Sequence, residues 1–105
     1  MKLLATEKDK QNRPVAIVDT SDEEITAIKK AAGNHPKFSK QDELEGIRIR
    51  DLFNRPNEEW RRLNNVNITD IKEVINKYIQ DTGENSLFTS LRDELHEIWK
   101  QLNPS

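Results

Sequence analysis

Five of the seven arginines crowd into one stretch: Arg48, Arg50, Arg55, Arg61 and Arg62. A guanidinium is a planar fork of donors that matches a phosphate or a carboxylate in two places at once. Arg48, Arg55 and Arg62 are spaced by seven. One unbroken helix would therefore line them up opposite Ile49, Leu52, Phe53, Trp60 and Leu63, as a basic ridge able to lie along a nucleic-acid backbone. The same stretch supports a plainer reading. Asp51 stands four before Arg55 and Glu58 four before Arg62, the acid-then-base order that stabilises an exposed helix through its own ion pairs. Trp60, flanked by arginines and with only Leu63 beside it, has the composition of an interface hot spot. The candidate binding residues are thus Arg48, Arg50, Arg55, Trp60, Arg61 and Arg62, facing either a protein partner or a phosphate backbone.

Other chemistry is sparse. The chain has no cysteine, which excludes disulfides, thiolate metal sites and cysteine nucleophiles. His35 falls in the Gly33-Asn34-His35-Pro36 connection. His96-Glu97 begins like the helix of a zinc protease, but Lys100 stands where the second histidine ligand is required. Glu23-Glu24, Glu58-Glu59 and Asp93-Glu94 are adjacent carboxylates on caps or polar faces, where a raised pKa for general acid work is not expected. Three glycines form neither a phosphate loop nor a Gly-x-Ser-x-Gly elbow. These residues predict no catalytic centre, no metal, no cofactor and no small-molecule site.

The elements that would position the arginines are clearest in the last third of the chain. Ile68, Ile71, Val74, Ile75, Tyr78 and Ile79 recur at helical spacing. After Asp81-Thr82-Gly83-Glu84 the pattern resumes with Leu87, Phe88, Leu91, Leu95, Ile98, Trp99 and Leu102. Each set occupies one arc of a helix, a stripe made to face a core. Upstream, Ser21-Asp22-Glu23-Glu24 is a capping box opening a helix, with Gly33 expected as its left-handed stop and Lys29-Lys30 near its end. Val15-Ala16-Ile17-Val18 reads as a strand apolar on both faces, paired with a weaker arm at the start of the chain. The middle is irregular. Gly46 marks a change of helical phase, so Ile47-Arg48-Ile49-Arg50 is either a kinked helix, the favoured reading, or a short alternating strand. Pro56 suits the first turn of a short helix that Asn64-Asn65 would end, and Asn67 with Asp70 would cap the next.

The expected fold is therefore α+β and mostly α, in a single domain over 1–105. An N-terminal hairpin (about 2–6 and 14–19) precedes about five helices (about 22–32, 40–53, 56–64, 68–82 and 86–102), the last two an antiparallel helical hairpin. The apolar fraction is 33% and the charged fraction 34%, against a usual ~45–50% and ~25%. Such a chain folds over a thin core, which a partner or a second copy could complete. The net charge of -2 and pI of 5.7 fall short of a dedicated nucleic-acid domain. No apolar run approaches a membrane span. The sequence predicts a small cytoplasmic, non-catalytic interaction or regulatory module: a subunit, inhibitor or adaptor whose partner is a protein or its own copy. A nucleic-acid-binding regulator using the Arg48–Arg62 cluster is the alternative.

Overall fold

The computed structural model describes residues 1–36, 62–83 and 85–103. Within them the protein is α+β and mostly helical, with an N-terminal hairpin and three helices. The helix expected at 40–53, the helix-or-strand question at 47–50 and most of the helix expected at 56–64 fall outside the described residues.

The hairpin forms where expected, from β1 (Lys2–Lys8) and β2 (Pro14–Asp19). Its turn is built by one side chain. Asp9 Oδ1 accepts from the amides of Gln11 and Arg13, both at 2.8 Å, and Oδ2 accepts from Arg13 Nε at 3.0 Å. Asn12 takes the left-handed conformation, φ 62°, that this loop requires and asparagine tolerates. A carboxylate holding two amides is easier to ionise, and these bonds, with the Arg13 charge, keep Asp9 below the usual carboxylate range.

A third strand was not expected. Arg62–Asn64, assigned by the sequence pattern to the end of a helix, form β3, which pairs antiparallel with β2 through Val15–Asn64, Ala16–Leu63 and Ile17–Arg62. The order β1-β2-β3 makes β2 central. The reason is side-chain alternation: a strand sends Leu63 to one face and Arg62 to the other, so Leu63 becomes fully buried while Arg62 stays in water. Leu63 joins Ala16 and Val18 on the face covered by helices, and a register break at Leu4 lets Leu3 join them.

Helix α1 (Asp22–Asn34) carries the expected capping box: Ser21 Oγ accepts from the Glu24 amide and Glu24 accepts from the Ser21 amide, both at 3.2 Å. It runs two residues past the expected stop. Gly33 is helical rather than left-handed, His35 is the C-cap, and Lys29-Lys30 fall short of the last turn. Helix α2 (Asn65–Thr82) starts three residues early for a similar reason. The side chains of Asn64 and Asn67 cap each other's amides, so Asn64 opens this helix instead of closing the one before. Gly83, at φ 92°, ends it, and α3 (Ser86–Leu102) follows.

Helices α2 and α3 form the antiparallel pair read from their stripes. Tyr78 meets Phe88 at 4.5 Å between ring centroids near the turn, and Asn65 and Asn103 exchange amide hydrogen bonds of 3.1 and 2.9 Å at the open end. Ile68, Ile71, Val74, Ile75, Leu91 and Leu95 are fully buried between them, with Ile28 from α1.

Leu63→Ala should lower unfolding stability by about 2–4 kcal/mol, measured by urea titration, as deletion of a filled core position does. The two described glycines should respond with opposite sign. A Cβ at helical Gly33 meets nothing within 4 Å, so Gly33→Ala should stabilise by about 0.5 kcal/mol. Gly83→Ala should cost about 1–2 kcal/mol, because its backbone lies where side chains are strained.

Candidate functional site

Of the six residues singled out by the sequence, Arg48, Arg50, Arg55, Trp60 and Arg61 lie outside the described residues. Arg62 is described, and its surroundings revise the helical reading. On β3 it cannot extend a helical ridge from Arg48 and Arg55, nor make a helix i,i+4 pair with Glu58. Register places Arg62 on the same outer face of the sheet as Glu7 of β1, with the central strand between them. Its Nη2 donates to Glu7 Oε2 at 2.6 Å, with both side chains about half-exposed. The guanidinium thus clasps the two edge strands across β2. Leu63, expected at the contact surface beside Trp60, is core.

The histidines sit in separate places. His35 caps α1, with Nε2 3.5 Å from Glu73 of α2. His96 is exposed, stacks on Trp99 at 6.2 Å and has Nδ1 3.3 Å from Lys72 Nζ, while Lys72 rests over the Trp99 ring at 4.8 Å. That is a cation–π contact bracing α2 against α3. Among the described residues, no group of three or more His, Asp or Glu side chains could hold a metal ion. None of the described helices is long and apolar enough to cross a membrane.

The structure assembles a different group, one that spacing alone did not suggest. The amino group of Met1 is enclosed and donates to Glu24 on α1 and Glu94 on α3. Beside it, Met1 and Leu3 at the start of β1 and Ile98 on α3 floor a cleft of roughly 360 Å³, with Asp93, Glu94 and Glu97 along its rim. These α3 residues lie where the apolar stripe meets the charged face, at helical spacings of three and four. Their spacing was legible, but the strand that completes the cleft is more than 80 residues away in sequence.

The electrostatics of this junction have a definite sign. Burial pushes the Met1 ammonium down, but hydrogen bonds and charges from Glu24 and Glu94 outweigh it, and the amine stays protonated above its ordinary value of 8.0. For Glu24, burial raises the pKa, while the ammonium and the Ser21 amide lower it more, leaving the carboxyl below its ordinary 4.5. Thr20 Oγ1 also donates to Glu24, at 3.2 Å.

Comparison with protein-family models, curated proteins and solved structures finds no match for this chain.

A raised amine stabilises the fold below pH 8.0 and loses that contribution as pH climbs through the folded value. A depressed carboxyl contributes above pH 4.5 and loses its share as pH falls through the folded value. Glu24→Gln keeps a side chain able to complete the capping box but removes the charge. It should cost about 1–2 kcal/mol near neutral pH and almost nothing at strongly acidic pH, where the wild-type carboxyl is protonated too. Thermal melts of both proteins across the pH range read this directly, and a constant gap at all pH values would contradict it.

Proposed function

We propose that the chain is a small non-catalytic protein–protein interaction or regulatory module of the cytoplasm, acting as a subunit, inhibitor or adaptor of a larger complex. The observation that carries this reading is the state of β1. It is an edge strand, no described strand pairs with its outer side, and every one of its residues except Leu3 is exposed. An open strand edge is a template for addition of a partner's strand. Leu4 and Val66 add apolar surface, at 54% and 62% exposure, to a chain otherwise rich in charge.

Four of the described ionisable side chains support the same reading by what occupies them. Asp9 builds a turn, Glu24 a cap, Arg62 a clasp over the sheet, and Lys72 a helix–helix contact. Each is committed to the fold rather than gathered around a vacant point where a substrate could react.

Nucleic-acid binding through Arg48, Arg50, Arg55, Arg61 and Arg62 is the competing reading, and one experiment separates the two. The tagged chain is recovered from its native cells and its companions are identified by mass spectrometry, while labelled DNA and RNA are titrated in parallel. The expected result is a stoichiometric protein companion, or a second copy by light scattering, and no nucleic-acid shift at about 50 mM salt. A shift that weakens steeply with salt, with no protein companion, would overturn the proposal.

A further inference from the structure

Three features converge at the beginning of β1. The first is the edge itself, with a register break between Leu3 and Ala5 that leaves Leu4 protruding. The second is the cleft on the helical side of that edge, floored by Met1, Leu3 and Ile98. At roughly 360 Å³ it has room for more than one aliphatic side chain. The third is the charge of its rim. Asp93 and Glu97 have side chains 68% and 67% exposed, and their cations are Arg92 at 3.3 Å and Lys100 at 3.5 Å on the same helix. Exposed pairs of this kind are worth about 0–1 kcal/mol, so an incoming cation displaces little. The one positive group among the cleft's own residues, the Met1 amine, is fully enclosed by Glu24 and Glu94. The mouth therefore presents negative charge around an apolar floor.

We infer that this cleft receives a short basic strand from a protein partner, laid along the edge of β1 that no described strand covers. The inference rests on reading the chain as a protein-binding module and names the chemistry of what it binds. Strand geometry fixes the pattern. Side chains two positions apart share a face, so one large aliphatic residue enters the cleft while a Lys or Arg two residues to either side reaches the carboxylates on α3. The recognised sequence is thus basic, any, aliphatic, any, basic. Main-chain hydrogen bonds to β1 give affinity, and the cleft with its rim gives selectivity. The break at Leu4 interrupts regular pairing, which keeps the added strand short and makes Leu4 a contact for its outer residues.

The test is selection of a phage-displayed library of short random peptides on the full chain, followed by titration of the winning peptide into isotope-labelled protein. The expected winners carry the basic–aliphatic–basic pattern and shift the amide resonances of residues 2–8 and 93–101. Asp93→Lys combined with Glu97→Lys, both on exposed positions, should weaken binding about tenfold or more without changing the melting temperature. Raising salt to about 0.3 M should weaken it as well. Acidic or patternless winners, resonance shifts elsewhere, indifference to the double substitution, or no enrichment would each overturn the inference. Equal shifts of the same amides by single-stranded RNA would also overturn it. If it fails while a cellular protein companion still binds the double variant, the cleft is wrong and the interaction reading stands. If no companion is found either, both fall.

Discussion

The inner face of the sheet is apolar and cannot persist in water, and the architecture follows from covering that face. Ala16, Val18 and Leu63 supply it, with Leu3 at the margin, and helices α2 and α3 supply the cover, with α1 packed against them. The hydrophobic contribution scales with area removed from water, and a chain only one-third apolar has little to spare. Hence the residues at the centre of the stripes are used to the full: Ile28, Ile68, Ile71, Ile75, Leu91 and Leu95 have essentially no exposure. Even Leu63, on a strand of three residues, is drawn into the same layer.

With so thin a core, polar groups carry much of the positioning. Asparagines that look like mere punctuation in the sequence close helices onto one another: Asn64 with Asn67 at the start of α2, and Asn65 with Asn103 between α2 and α3. Glu24 works in two directions, capping α1 while holding the Met1 ammonium, which Glu94 holds from the other side. One junction thereby ties β1, α1 and α3. It also shapes the cleft beside it, because the same contact that fixes the start of β1 sets its distance from the carboxylate rim of α3. Structure and the proposed binding surface share a hinge of charge.

Much of this was legible from residue pattern. The stripes of α2 and α3 survive because helical period and burial coincide over long runs, and the Ser21–Glu24 box survives because it is local chemistry. Where sequence reasoning failed, short segments had two acceptable local answers. Arg62–Asn64 is too short for period to choose between helix and strand, and pairing with β2 chose strand. Gly33 can stop a helix or continue one, and here the helix continues to Asn34. Asn64 can end a helix or begin one, and reciprocal capping with Asn67 made it a beginning. The arginine reading rested on a single helical phase, which Arg62, in a strand and bonded to Glu7, does not share.

By itself the sequence determined the class of fold, the two long helices with their inward faces, the N-terminal hairpin, and the lack of any cysteine chemistry. These depend on contacts within a few residues of each other, or on composition, so no partner segment is needed to read them. Only the tertiary structure decided that Arg62–Asn64 joins the sheet, where Arg62 spends its charge, and that Leu3 and Met1 come to rest beside Asp93, Glu94, Glu97 and Ile98. Those depend on pairs distant along the chain, whose meeting is set by burial of the shared core and by the register of strand pairing. The candidate cleft belongs to this second kind. It exists in no segment, only in the space between two.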